Sequence, residues 1–160
     1  MELSEHFHSE EFGDVSDDCL PTLTYFCQNI LEPIRAYVVR PLIITSGYRS
    51  PEENAAAHGV TDSEHIYTPD HCAADFTFDT AIGSMLSKRI VFDWIRTNPY
   101  LPYHQVILEF GNGGTSIIHI SFNKTTMYAR SALEGRTNNA SPYMRFDTVP
   151  YELPNATENA

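Results

Sequence analysis

Histidine is the residue type in this chain whose placement most suggests chemistry. Seven histidines are present, and zinc prefers imidazole nitrogen, thiolate sulfur and carboxylate oxygen as ligands. His119 interrupts the apolar run 117–120 (IIHI), which predicts a strand. A buried histidine on a strand is either a hydrogen-bonded core residue or a metal ligand, and His119 alone leaves both interpretations open. The histidines expected at the surface are His6, His8, His58 and His104.

A helix and a strand must position the first half of any such site. Apolar residues recur at three- and four-residue steps from about Leu20 to Arg40, which predicts an amphipathic helix. Pro33 is expected to kink or divide it, because proline lacks the N–H that an interior helical residue donates. Residues 41–46 (PLIITS) predict a short buried strand. The long connection over 47–72 shows little periodicity, and connections of that length are usually functional.

The second half of the chain predicts a helix over 82–97 and three strands. The strands are expected at 73–78 (AADFTF), 105–110 (QVILEF) and 116–122 (SIIHISF). The segment GNGG at 111–114 predicts that the last two form a hairpin. The expected fold class is therefore α+β, with a small antiparallel sheet flanked by helices.

Size and composition are those of one ordinary globular domain. The chain has 160 residues, 42% of them hydrophobic and 19% charged, which is enough to bury a core. We expect the domain over residues 1–122, and an extension over 123–160 that packs on the same domain or on a partner. The formal charge of −11 argues against nucleic acid or an anionic membrane as a partner, since like charges repel.

Cysteines and the N-terminal segment indicate a reduced site of synthesis. Cys19 and Cys27 lie about 12 Å apart along the predicted helix, too far for a disulfide, and Cys72 is single. The acidic start lacks the basic and apolar regions of a secretory signal. No apolar run approaches the roughly 18–20 residues of a membrane span. We expect synthesis in the cytoplasm without a signal peptide.

Several segments in a fixed order resemble the zinc D-Ala-D-Ala carboxypeptidase and peptidoglycan L,D/D,D-endopeptidase family. Its members, found in bacteria and bacteriophages, share the Hedgehog/DD-peptidase fold and cut peptidoglycan peptides. The order and spacing of the segments, over residues 4 to about 122, argue against chance agreement. The segments are HFHSEEF at 6–12, LIITSGYRSP at 42–51, SEH at 63–65, AAD at 73–75 and HIS at 119–121.

The resemblance implies a zinc ion bound by His65, Asp75 and His119. It also implies that Arg49 faces the substrate and stabilises developing negative charge. A guanidinium fork suits that role because it binds a carboxylate or oxyanion at two points; a surface salt bridge is the alternative. The residues expected to support the site or contact substrate are Ser46, Tyr48, Ser63 and His71.

Glu109 is the expected general base. The family often has a carboxylate three residues before its last zinc ligand, but here that position is Ser116, which cannot take a proton from water. Glu109 ends a segment that resembles the Phe-Asp-Gln-Leu-Ile-x-Glu strand of one branch of the family. It shares a sheet face with His119 only if the hairpin loop has an odd number of residues. The alternative is a carboxylate at a sheet end bonded to a loop.

The chain departs from the family pattern between the first two expected ligands. His65 and Asp75 are ten positions apart, whereas the family has seven. The added residues lie within 66–72 and include Asp70, His71 and Cys72, all of them potential ligands. Either a bulged loop leaves the geometry intact, or the ligand set has changed, or the site has decayed. The hairpin over 110–115 also looks lengthened, and His104 replaces an Asp of that branch.

Two functions follow from the resemblance. The first is a hydrolase, a zinc metallopeptidase that cuts peptidoglycan stem peptides or cross-links as a carboxypeptidase or endopeptidase, acting on the cell wall after lysis or as part of a virion. The negative charge does not exclude such a substrate, because a zinc site supplies local positive charge. The alternative is a decayed domain that serves as a structural or adsorption protein of a bacteriophage virion, in contact with other virion proteins.

Overall fold

A mixed sheet with helices against one face organises the computed structural model of this chain. The structure describes residues 1–80, 84–111, 116–126, 129–136 and 143–153, without the side chains of 84–86. The helices are a 3₁₀ turn at Ser9–Phe12, α1 (Leu20–Phe26), a π-helical segment at Cys27–Leu31, α2 (Glu32–Val38), α3 (Pro51–Ala56) and α4 (Ser84–Arg96). The strands are β1 (Ile43–Ser46), β2 (His71–Thr77), β3 (Gln105–Phe110), β4 (Ser116–Asn123), β5 (Ser131–Arg136) and β6 (Met144–Phe146).

The sheet is antiparallel except at one junction. Within the described ranges the strand order is β1-β2-β4-β3-β5-β6, and β5 lies parallel to β3. The predicted α+β class with a small, mostly antiparallel sheet and flanking helices is confirmed. The predicted pairing of β3 with β4 is also confirmed. β5 and β6, from the segment expected as a C-terminal extension, extend this same sheet.

Alternation along the strands separates a core face from an open face. On β4, Ile118 and Ile120 are completely buried and point to the side covered by α1 and α4. Phe76 and Leu108 flank Ile118 in the register, and Phe92 and Ile95 of α4 are buried with them. The opposite face therefore carries the intervening residues, among them the candidate site.

The helix over residues 20–38 is interrupted as Pro33 predicts. A π-helical segment separates α1 from α2, and Pro33 is the second residue of α2. Without an N–H on Pro33, the carbonyl of Asn29 has no partner four residues on, and the helix accommodates the break with a single π-helical segment. The helix ends at Val38, and Val39 follows in the left-handed region with φ 57°.

Helix α3 was not predicted, although its start carries a recognisable signal. Ser50 accepts from the backbone N–H of Glu53 at 3.1 Å, and the Glu53 side chain accepts from the N–H of Ser50 at 2.8 Å. This reciprocal capping box, with Pro51 at the first helical position, is readable in the sequence SPEE. The polar composition of the connection concealed it.

Some sequence predictions fall outside the described residues. They are the helix start at Ile82, most of the hairpin turn at 112–115 and the end of the predicted extension from 154. Among the described helices, none is both long and apolar enough to cross a membrane.

Candidate metal centre

Strand register places two of the three expected ligands side by side. Asp75 of β2 is directly opposite His119 of β4, although they are 44 residues apart in sequence. The carboxylate Oδ1 of Asp75 lies 2.8 Å from Nδ1 of His119. Both side chains are at least nine-tenths buried, so the sheet holds them in a fixed relation.

His65 reaches the same point from the connection that follows α3. Its Nδ1 donates to the carbonyl of Gly47 at 2.7 Å, and its backbone N–H donates to Ser63 Oγ at 3.3 Å. The carbonyl of His65 accepts from the backbone N–H of Arg49 at 2.8 Å. These bonds fix the ring so that Nε2 faces the strands.

The three side chains form a group that can hold a metal ion. Nε2 of His65 lies 3.1 Å from Oδ1 of Asp75 and 3.1 Å from Nδ1 of His119. A carbonyl only accepts, so Nδ1 of His65 carries a proton, and Nε2 of the neutral ring offers a lone pair. Two ring nitrogens and one carboxylate oxygen thus converge, and a cation bound among them would be coordinated by all three. Tetrahedral coordination with bonds of about 2.1 Å would space such atoms roughly 3.4 Å apart, close to the spacing present.

The pKa shifts within the group also indicate that positive charge is stabilised at its centre. Burial by itself raises the pKa of Asp75, but the hydrogen bonds and charges of His119 and His65 outweigh it and hold that pKa well below its usual range. Burial lowers the pKa of His119, yet the Asp75 carboxylate raises it overall. The Asp75 carboxylate therefore favours positive charge beside it, whether a proton on His119 or a metal ion.

Arg49 is bonded to the carboxylate of the group itself. Its Nη2 donates to Oδ2 of Asp75 at 3.0 Å, which leaves Oδ1 facing the histidines. Its Nε donates to Ser46 Oγ at 2.9 Å. Arg49 thus orients Asp75, and Ser46 orients Arg49, while Nη1 makes no hydrogen bond within the described part of the chain.

Glu109 lies on the same face as the group. Phe110 pairs with Ser116, so five residues connect β3 to β4, and Ile107 is opposite His119. The loop thus has the odd number of residues that the predicted shared face requires, and Glu109 lies diagonally across from His119 on the neighbouring strand. Burial and the charge of Asp75 raise the pKa of Glu109, against the smaller opposing effects of His119 and Arg49. A carboxyl with a raised pKa is a better proton acceptor near neutral pH.

A family model for Peptidase M15 matches residues 6–90, more than half of the chain. The chain belongs to the Peptidase M15 family. The match includes Arg49, His65 and Asp75 and confirms the resemblance found in the sequence. No curated protein matches the chain. His119 and Glu109 lie beyond the matched residues, and the sheet register alone joins them to the rest of this M15 centre.

The insertion in this M15 chain folds as a tight turn outside the centre. Thr68 and His71 form an isolated bridge, and the His71 ring bonds to Thr68 Oγ1 at 3.2 Å and to the carbonyl of Ile66 at 2.9 Å. The carbonyl of Pro69 accepts from Lys124 Nζ at 2.8 Å and from Thr22 of α1. The turn is fastened to α1 and to the end of β4, and the ligand geometry stays intact.

Asp70, Cys72 and Tyr48 occupy other places in the M15 domain. Asp70 is exposed, and Cys72 is buried in the core beside free Cys19 and Cys27. The ring of Tyr48 contacts that of Tyr67 edge-on, with centroids 5.6 Å apart. Of the expected supporting residues, Ser46 and Ser63 bond directly to Arg49 and His65, whereas Tyr48 and His71 order the surrounding connection.

A cleft of about 510 Å³ opens over the centre. It is lined by Arg49, Glu109 and the metal-binding trio of His65, Asp75 and His119. Two further parts of its lining were not predicted from the sequence. Glu64 and His104 form a pair with Oε1 and Nδ1 2.5 Å apart, and Tyr143 enters from the segment before β6. The adjacency of Glu64 to His65 was a usable signal, whereas Tyr143 could be predicted only as an aromatic packing residue, with no pattern that connected it to the cleft.

Proposed function

We propose that this chain is a zinc metallopeptidase that hydrolyses peptidoglycan stem peptides or cross-links at an amide bond next to a D-amino acid. The observation that carries the proposal is the convergence of His65, Asp75 and His119 on one point at the floor of an open cleft. Membership of Peptidase M15 supports peptide hydrolysis. The peptidoglycan substrate rests on the sequence resemblance.

The donor set supports zinc as the metal. Two imidazoles and one carboxylate leave a fourth position for water, which is the usual arrangement of catalytic zinc. When bound, zinc would lower the pKa of a coordinated water toward about 7 and polarise the scissile carbonyl. His65 and His119 would hold it through deprotonated ring nitrogens, and Arg49 holds Asp75 with Oδ1 turned inward.

The chain's own residues handle the proton and the developing charge. Glu109 takes a proton from the attacking water and passes it to the leaving amine, a task to which its raised pKa is suited. Arg49 lines the cleft beside the metal position and supplies positive charge to the tetrahedral oxyanion. Hydrolysis then leaves a free carboxylate and a free amine.

The geometry favours an active peptidase over the decayed virion module. A decayed site predicts ligands splayed by the insertion at 66–72. Here the three ligand atoms lie 2.8–3.1 Å apart, and the inserted residues are bonded elsewhere. The cleft is lined by both acidic and basic side chains, which suits a peptide that carries both charges.

Metal content and peptidoglycan digestion together test the proposal. Purified protein is expected to contain one zinc per chain and to release peptides from purified peptidoglycan, and a chelator should stop the release. His119→Ala should abolish both zinc binding and release. Stoichiometric zinc in that variant would contradict the ligand assignment, and zinc without release by the unaltered protein would contradict the peptidase.

A further inference from the structure

Tyr143 lines the cleft, on the far side of Glu109 from His65, Asp75 and His119. Gly135 of β5 is directly opposite Glu109 of β3. A Cβ built on Gly135 would lie 2.3 Å from Cδ1 and 2.6 Å from Cε1 of Tyr143. The Tyr143 ring therefore rests on the Gly135 backbone, in space that any side chain at position 135 would fill.

The phenol of Tyr143 is a neutral hydrogen-bond donor in an acidic part of the cleft. Burial and the charges of Glu109 and Asp75 raise the pKa of Tyr143 to about 12. The hydroxyl consequently keeps its proton at neutral pH. Where the carboxylates would repel a peptide oxygen, this hydroxyl can bind one.

Arg49 and Tyr143 mark opposite sides of the centre. Arg49 is bonded to Asp75 on β2, whereas Tyr143 covers β5, and β4 and β3 lie between them. Three strand spacings correspond to about 14 Å. An extended peptide covers that distance with roughly four residues at about 3.3 Å each. The floor is thus long enough for several residues of substrate beyond the bond at the metal.

We propose that Tyr143 is a substrate-contacting residue that binds the part of the peptide extending past Glu109 over β5. Its ring packs against that part, and its phenol donates a hydrogen bond to a carbonyl or carboxylate oxygen there. The inference rests on the proposed function, because it assigns a further contact to the same cleft. The contact is remote from the metal, so it affects substrate binding and length preference rather than the chemical step.

Three variants separate the ring, the hydroxyl and the position of the ring. With the stem pentapeptide L-Ala-D-Glu-L-Lys-D-Ala-D-Ala as probe, Tyr143→Phe should raise KM about 5-fold, the equivalent of one hydrogen bond. Tyr143→Ala should raise KM about 10-fold or more, with kcat within about 3-fold of the unaltered enzyme. Gly135→Ala should resemble Tyr143→Ala, because its Cβ displaces the ring. Tyr100→Ala is the matched control, since Tyr100 is 65% exposed and lies outside the cleft lining.

Zinc content and the melting temperature of each variant verify that the fold is retained. A separate binding measurement uses the zinc-loaded Glu109→Gln protein, with and without Tyr143→Ala, titrated calorimetrically with the same pentapeptide. Affinity should fall by the factor seen in KM.

The outcomes distinguish the two proposals. Unchanged KM in both Tyr143 variants, with cleavage intact, overturns the role of Tyr143 and leaves the peptidase standing. Pentapeptide binding that weakens in Tyr143→Ala supports the role of Tyr143, and the peptidase is overturned if the unaltered zinc-loaded protein neither cleaves the pentapeptide nor releases peptides from peptidoglycan. If the unaltered protein neither binds nor cleaves the peptides, both proposals are overturned.

Discussion

The two oxygens of Asp75 have separate tasks, and Arg49 enforces the separation. Oδ2 accepts from Arg49 at 3.0 Å, and Oδ1 faces His65 and His119. A carboxylate that is free to rotate would offer either oxygen, or both, to a metal. Hydrogen-bond partners of this kind orient metal ligands and tune their affinity, so we expect Arg49 to support metal binding as well as the charge stabilisation proposed for it.

Replacing Arg49 should therefore weaken metal binding. Arg49→Gln is expected to lower zinc affinity about 10- to 100-fold, measured by competition with a chromophoric chelator. The control is Arg40→Gln, because Arg40 is exposed and bonds to the carbonyl of Asp79. Unaltered zinc affinity in Arg49→Gln would show that the Asp75 carboxylate is oriented without it.

Glu109 should affect turnover and leave the metal in place. Glu109→Gln removes the proton acceptor but retains the shape of the side chain, so kcat is expected to fall about 10²- to 10⁴-fold with zinc still stoichiometric. Peptide release and metal content are measured on the same sample. The exposed Glu152 provides the control variant Glu152→Gln. Near-normal turnover in Glu109→Gln would assign the base to another group.

Among the elements, the N-terminal arm, residues 1–8, is bonded to α2 through the carboxylate of Glu32. Glu32 accepts from Ser4 Oγ at 2.7 Å and from the backbone N–H of His6 at 2.8 Å, and its Oε2 lies 2.8 Å from Nδ1 of His6. Burial raises the pKa of Glu32, but these bonds outweigh it and the pKa is lowered overall. The arm and its buried Leu3 and Phe7 depend on this ionised group.

Lowering the pH should remove the stabilisation that ionised Glu32 contributes to the fold. Because the folded pKa of Glu32 lies below its ordinary value of 4.5, its contribution is complete above that pH and is lost as the pH falls through the folded pKa. Glu32→Gln is expected to lower the free energy of unfolding by about 1 kcal/mol at pH 7, and the difference should vanish at low pH. Urea denaturation at several pH values measures it, with Glu52→Gln in exposed α3 as control. A difference that stays constant down to pH 3 would contradict the assignment.

Elements with strong periodicity were predictable, and the unpredicted ones depend on distant contacts. The divided helix over 20–38, β3 and β4 follow from local patterns. The start of β2 at His71 could not be predicted, since it depends on the turn at Pro69 being fastened to Thr22 and Lys124. For the same reason the sequence left three outcomes open for the insertion, and the hydrogen bonds of His71 distinguish them.

Across the whole molecule, the candidate site draws on parts of the chain with unequal sequence signals. Arg49, His65 and Asp75 lie in motifs and within the family match. Placing His119 and Glu109 together required the strand register. From the sequence, their shared sheet face could be predicted only on the condition that the loop between β3 and β4 has an odd number of residues. Tyr143 reaches the cleft because β5 returns parallel to β3, and no local pattern specifies such a long-range pairing.

Zinc should stabilise the entire fold, because its ligands come from a connection and two strands. With free zinc at about 1,000 times its Kd, the gain is about 4.1 kcal/mol, which corresponds to a melting temperature higher by roughly 8–16 °C for a domain of this size. Calorimetry with zinc and with chelator measures the shift. His119→Ala should show almost none of it, and an equal shift in that variant would place the metal elsewhere.

The strand order also has a consequence for the chain as it emerges from the ribosome. β4 sits between β2 and β3, so β2 keeps an unpaired edge until residues 116–123 have been made. Domains generally fold as units, and synthesis proceeds from the N-terminus. A nascent chain that already contains His65 and Asp75 is still without His119. A metal ion held by all three residues would therefore be captured only after β4 has been made and the sheet has closed.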